Sequence, residues 1–402
     1  MAEEENIISS DVESPNNIVK SIFERGTKKE KISSLFGAEH NSSEMEASPE
    51  KETIEENLSG DQDFIKSRQE KGFFNFKTWF NKNSPIGLDI GSHAIKMAQI
   101  SQERHKVKLE KLVLEERPVS FLENPSRDPN VLKEFLKDIF KKHDVRGPVY
   151  INAPQNTVHM KSLSLPKIPL SEVEQAVRWE MKQTYAGERS GFSFDYVILN
   201  KDKSSYAETL EVMTISSSKK DLLGTVDTLE SLGLKVLAIE PEEFSLLEAL
   251  LFSQAINAKE VVLLLDIGEQ STSLSIIRDK EICFTRTLNF SAHGLRKIPK
   301  EAVGVELDNL VSAIQHTFKY YSYQLMKSQI TQFHRLILAG GGASFPLLLS
   351  FLKDRLKIPV EMANPLTGFD IIKGSNLGQE ALKENAARLG AAIGLALRAV
   401  EE

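Results

Sequence analysis

The sequence predicts an α/β chain of two lobes built on one plan, with a small inserted unit and an acidic N-terminal tail. Three observations predict it. A sixteen-residue pattern occurs twice, as IGLDIGSHAIKMAQIS at 86–101 and LLLDIGEQSTSLSIIR at 263–278. Short strands and helices alternate through most of the chain, as in layered α/β proteins. Finally, residues 1–70 hold 17 acidic and 8 basic side chains, while the whole chain holds 57 and 50.

Composition narrows the class further. The 402 residues are 41% hydrophobic and 27% charged, ordinary for a globular protein with two or three folding units. Cys283 is the single cysteine, so no internal disulfide forms and a reducing compartment is expected. The opening MAEEEN lacks the basic-then-apolar order of a signal peptide. No apolar run approaches the roughly 18 residues of a membrane span. Secreted, disulfide-built and membrane-spanning proteins are therefore not expected.

The elements follow in order. Only 19 of the first 70 residues are apolar, too few to bury a core that offsets chain entropy, so 1–70 is expected to be a disordered acidic tail. Within it Ile18, Ile22, Phe23, Ile32, Leu35 and Phe36 are spaced loosely, either as a helix that folds on a partner or as scattered apolars of a solvated tail. KGFFNFKTWFNKN at 71–83 mixes basic residues with rings, suiting either a membrane surface or partner, or packing of a lead-in helix. PIGLDI, AIKMAQIS and VKLEKLVLEE read as strands, 130–143 as an amphipathic helix, and GPVYINAP as a buried strand. From 160 to 240 the order β-α-β-β-α-β suggests a small ferredoxin-like module. Ser171 and Glu174 form a capping box there, and Gly233 a left-handed helix stop. A helix over 241–256, the second hairpin, the strand and Gly-rich turn of RLILAGGGASFPLLLSFL and a closing amphipathic helix complete the chain.

The turns carry the chemistry. A strand ending in Asp-x-Gly that returns as a second strand makes a tight hairpin, and Gly91 and Gly268 can take φ > 0 to let backbone N–H groups approach a phosphate. Asp89 and Asp266 then face one cleft, where they could hold Mg²⁺ through its waters, because Mg²⁺ prefers a few carboxylates plus phosphate oxygens. Ser92, His93 and Lys96 are candidate phosphate contacts on one side, and Ser271 and Thr272 on the other. Lys96 could equally serve its strand's solvent face. Gly340, Gly341 and Gly342, between a strand and a helix, suit a turn passing under an adenosine ring or α-phosphate.

With these motifs in place, the sequence resembles the actin-like ATPase superfamily, and within it the PilM proteins of the type IV pilus assembly machine. The likeness covers roughly residues 73–402 and is carried by GLDIGSHAIKMAQIS, LPKIPLSEVEQAVRWEMKQ, FDYVIL, LLLDIGEQSTSLSII, LILAGGGASFPLLLSFLKDRLKIPVEMANP and LGAAIGLALR. Arg178, Trp179 and Glu180 distinguish PilM-like proteins from chaperone or sugar-kinase relatives. The resemblance implies an actin-like two-lobed fold: lobe 1 at 71–159 with the first phosphate hairpin, and an inserted ferredoxin-like (FtsA-type) subdomain at 160–234. A lobe 1 connecting helix follows at 235–258, then lobe 2 at 259–384 with the second hairpin and adenosine turn, and a C-terminal connecting helix at 385–402. It further implies ATP with Mg between the lobes and capture of the cytoplasmic tail of an inner-membrane PilN-like partner beside the subdomain. Other pilus-machine components, a homo-oligomer or ring, and a cytoplasmic place peripheral to the inner membrane belong to the same reading. Only residues 291–306 separate the second hairpin from the helix DNLVSAIQHTFKYYSYQ, so the cover over the nucleotide is expected to be small.

No catalytic residue stands out. Glu240, Glu242 and Glu243 are placed to orient water in a slow ATPase, or are plain first-turn acids favoured by the helix dipole. A nucleotide-free actin-like adaptor, and an actin-like ATPase or kinase of another system such as cell division, are the alternatives. The histidines and Cys283 lack zinc-ligand spacing, no nucleophile elbow is present, and no basic stripe suggests nucleic acid.

Overall fold

The computed structural model describes residues 84–103, 106–118, 129–154, 157–186, 191–199, 209–257, 260–322, 333–369 and 371–400. The expectations for the tail 1–70 and the aromatic stretch 71–83 lie outside these residues. Among the described residues, no helix is long and apolar enough to cross a membrane.

The run IGLDI is buried almost throughout and forms β1 (Ile86–Ile90), a central strand covered on both faces. It returns as β2 (Ala94–Glu103), which pairs in turn with β3 (Lys106–Glu116), both antiparallel. Helix α1 (Pro129–Lys142) crosses to β4 (Pro148–Asn152), parallel to β1.

Next comes the inserted unit: β5 (Val158–Pro166), α2 (Leu170–Thr184), β6 (Phe192–Ile198), β7 (Thr209–Ser218) and α3 (Lys219–Ser231). Its three strands form an antiparallel sheet in the order β5-β7-β6. Val173, Val177 and Met181 of α2 pack on Leu163, Leu165 and Val212 of that sheet. The closing strand departs from expectation: β8 (Lys235–Glu240) pairs parallel with β4 in the large sheet. The inserted order is therefore β-α-β-β-α. KVLAIE is apolar on both faces, which suits the two-sided sheet of a lobe and not the edge of a small one-sided sheet. Gly233 is left-handed as expected, with φ +82°, and its N–H donates to Glu230 O. The capping box is not formed. The helix begins one residue earlier behind Pro169, and Glu174 pairs with Arg178.

Helix α4 (Glu242–Phe252) leads to the second sheet. There β9 (Val261–Ile267), β10 (Thr272–Arg278) and β11 (Glu281–Leu288) are antiparallel. After α5 (Ala292–Lys297) and α6 (Lys300–Tyr320), β12 (Arg335–Ala339) runs parallel to β9. Helix α6 starts eight residues before the DNLVSAIQ stretch, because Pro299 opens it as an extended residue ahead of an amphipathic run. Helix α7 (Leu348–Leu356) and β13 (Val360–Met362) complete this lobe. The second sheet, β11-β10-β9-β12-β13, repeats the order β3-β2-β1-β4-β8 of the first. Two lobes with one strand order make the actin-like architecture.

The chain then returns to lobe 1. β14 (Ile371–Ser375) pairs parallel with β3, and α8 (Gln379–Asn385) leads through a 3-10 turn to α9 (Gly390–Leu397). α9 is buried along its whole length against β1 and α4. Two glycines permit that approach. A Cβ on Gly87 would lie 2.2 Å from Ala392 O, and one on Gly394 only 1.6 Å from Ser245 O. One apolar cluster runs from Leu88 and Ile95, through Leu247 and Leu250 of α4, to Leu263 and Leu265. The lobes share a core.

Candidate inter-lobe anion site

Both Asp-Ile-Gly hairpins point their turns into one cleft between the lobes, with a cavity of about 250 Å³. Lobe 1 supplies Gly91, Ser92, His93 and Lys96, with Glu242 and Leu246 of α4 and Ala387, Arg388 and Ala391 of the C-terminal segment. From lobe 2 come Asp266, Gly268, Glu269, Arg296, Gly340, Gly341 and Ser344.

Register positions the charges. Asp89 on β1 pairs with Lys96 on β2, and Lys96 Nζ lies 2.6 Å from Asp89 Oδ2. Burial opposes the charge on Lys96, but Asp89, Glu242 and Asp266 outweigh it and hold its pKa raised. Asp89 itself is buried behind this lysine, outside the cavity lining. Across the cleft, burial pushes Asp266 up to about 7, aided by Glu243 and Asp89 and opposed by Lys96. Glu243 is likewise pushed up to about 7, chiefly by burial, although Ser273 donates a hydrogen bond to it. Three carboxylates thus crowd one lysine. That excess of negative charge fits a divalent cation held through water and phosphate, although no cluster of three or more metal-ligating side chains exists among the described residues.

The glycines divide. Gly91 and Gly268 are not among the residues with positive φ, contrary to expectation; at Gly91 the constraint is space, because a Cβ would stand 2.9 Å from Ala94 O and 3.0 Å from Lys96 Nζ. The left-handed residue is Gly340, at φ +84°, whose Cβ would strike Asp266 Oδ1. Gly342 packs on Ile267, and its N–H donates to Ile267 O, pinning the turn to the second hairpin. Gly341, between them, faces the cavity. Ser271 lies instead in a separate open depression with Thr287 and Asn289, and Thr272 is fully buried.

Of the three acids around α4, Glu242 lines the cavity. Glu240 is buried against Arg398, with an Oε2–Nη2 distance of 2.9 Å. A second polar group gathers around His93, and its other members were not foreseen. Arg388 bonds Glu116 at 2.7 Å, and His93 Nε2 meets the same carboxylate at 2.9 Å. Burial lowers the His93 pKa against the pull of Glu116. Glu269 meets Arg296 and His293. Glu269 follows Gly268 directly, so its position in the hairpin was a usable signal; Arg296 and Arg388 carry none in local spacing.

The raised pKa of Glu243 gives a sign for pH. A carboxyl that holds its proton more tightly when folded stabilises below its unfolded value and loses that contribution as pH rises through about 7. Glu243→Gln, melted without nucleotide, should therefore show a flatter decline in Tm between about pH 5 and 8 than the unsubstituted chain. An unchanged pH profile would contradict the assigned environment.

A family model described as type IV pilus assembly protein PilM matches residues 87–308 and 306–400. The chain belongs to the PilM family. Its fold matches the solved structure titled "PilM-PilN type IV pilus biogenesis complex", with a TM-score of 0.67 and 24% identity over 79% of this chain and 99% of that one. Weaker likenesses reach the ethanolamine utilization protein EutJ from Carboxydothermus hydrogenoformans, at TM-score 0.42 and 12% identity over 78% and 89%. They also reach an archaeal actin homolog at TM-score 0.35 and 12% identity over 79% and 100%. In this PilM-family chain the repeated strand order and both Asp-Ile-Gly hairpins fall inside the matched residues.

Proposed function

We propose that this chain is a cytoplasmic actin-like scaffold of a type IV pilus assembly machine, peripheral to the inner membrane, that binds Mg·ATP between its lobes. The carrying observation is the convergence of both Asp-Ile-Gly hairpins and the Gly340–Gly342 turn on one cleft lined by Lys96. The backbone at Gly91, Ser92 and Gly268 receives phosphate oxygens, Lys96 supplies positive charge, and Gly341 leaves room beneath the nucleoside. Asp266 would hold Mg²⁺, which would neutralise phosphate charge, while Asp89 behind Lys96 keeps that lysine charged. Glu242 is placed to orient water in a slow hydrolysis.

The second half of the proposal is capture of the cytoplasmic tail of a PilN-like inner-membrane protein beside the inserted subdomain. The relative solved as a PilM-PilN complex supports this reading, as does Trp179, which stands 59% exposed on α2. Tryptophan is among the side chains most enriched at binding hot spots. Trp179→Ala is expected to weaken capture of a synthetic PilN-like tail peptide about tenfold or more by calorimetric titration. Its Tm should stay unchanged, because α2 buries Val173, Val177 and Met181 instead. Undiminished capture would remove the tail from this helix.

A further inference from the structure

We infer that Glu269 is an internal occupant of the anion cleft, which a phosphate displaces, and that it restricts the cleft to metal-chelated nucleoside polyphosphates. This deepens the nucleotide-binding reading above and rests on it. The side chain is 5% exposed, yet the residue lines the cavity. Its Oε2 meets Arg296, and its Oε1 lies 3.3 Å from His293 Nδ1. The backbone seats it, since His293 N donates to Glu269 O at 3.0 Å and Ala292 N to Gly268 O at 3.1 Å. From the opposite lobe, His93 Nδ1 stands 3.6 Å from the same carboxylate.

Each cation lining the cleft already faces a carboxylate: Lys96 faces Asp89, Arg388 faces Glu116, and Arg296 faces Glu269. Asp89 and Glu116 lie outside the lining. Glu269 lies within it and shares the cavity with any incoming phosphate. Two anions on one guanidinium repel each other, and the buried Glu269 carboxylate is screened less by water than a charge in bulk solvent. A phosphate therefore takes Arg296 only by moving Glu269 away. A Mg²⁺-chelated polyphosphate brings less net negative charge than the free nucleotide, so it meets less of this opposition. Specificity here arises from a repulsive element inside the site.

Glu269→Gln keeps the shape and an acceptor for Arg296 while removing the charge. Titration calorimetry of the full chain with Mg·ATP, and with ATP plus chelator, tests the inference. The expected result is about tenfold tighter Mg·ATP binding in the variant, and a larger gain for metal-free ATP. Glu269→Ala, made alongside and checked by its melting curve without ligand, carries the same expectation should the glutamine disturb the hairpin. Equal or weaker binding in folded variants, with the unsubstituted chain binding Mg·ATP, overturns the inference alone. No nucleotide binding by any of the three overturns the ATP reading and this inference together.

Discussion

Placing a methyl group on Gly394 is expected to cost on the order of 3 kcal/mol and to lower Tm by roughly 5–10 °C. Its Cβ would stand 1.6 Å from Ser245 O and 2.4 Å from Ser245 C, both backbone atoms. Helix α4 cannot yield locally, because Ser245 also receives a 2.8 Å hydrogen bond from Asn152 of β4. The neighbouring Leu246, Leu247 and Leu250 are core residues. The added methyl must therefore pry α9 off α4, forfeiting packing that every lobe 1 strand near it shares. Gly304→Ala is the control: it lies in α6 with nothing within 4 Å of the added carbon, and should stabilise by up to about 1 kcal/mol through helix propensity. A Gly394→Ala protein melting with the parent would refute the close approach of these helices.

The second large effect concerns the cleft. Asp266→Ala should abolish the rise in Tm that Mg·ATP produces, a stabilisation of about 2.7 kcal/mol at a hundredfold excess over Kd. In the absence of nucleotide the same variant should be no less stable at neutral pH. Burial, Glu243 and Asp89 all disfavour the Asp266 charge, so its removal relieves a cost. Lys96→Ala should lose the ligand response too, but its unliganded form should fall, because Asp89 is left buried without its partner. Opposite signs without ligand and the same loss with it separate site chemistry from general damage. Full nucleotide response in both variants would exclude the cleft as the nucleotide site.

What the sequence made legible was whatever repeats or alternates locally. The two Asp-Ile-Gly hairpins could be read because each is an apolar strand, a short turn and a second strand within sixteen residues. Gly233 could be read because a helix stop is a local event. The partner of KVLAIE could not: whether a buried strand joins one sheet or another is decided by which strand lies beside it, here β4, far back along the chain. The same limit hid Arg296 and Arg388, which meet the hairpins only through the fold. Ser271 and Thr272 are the polar residues expected at the phosphates on the far side, whereas the second turn carries Glu269 inward and leaves Ser271 facing another depression.

The return of β14 and α9 to lobe 1 sets an order of assembly. Leu114 N donates to the Asn376 side chain, a contact 262 residues apart in sequence, and Gly87 waits for Ala392. During synthesis the first sheet therefore emerges with its outer strand and covering helix still unmade, while lobe 2 is translated in between. Contacts of such long sequence separation slow folding and leave apolar strand surface exposed meanwhile. β3 thus spends that interval as an unpaired edge, and β1 and β2 with an uncovered apolar face, the natural substrate for a chaperone on a nascent chain.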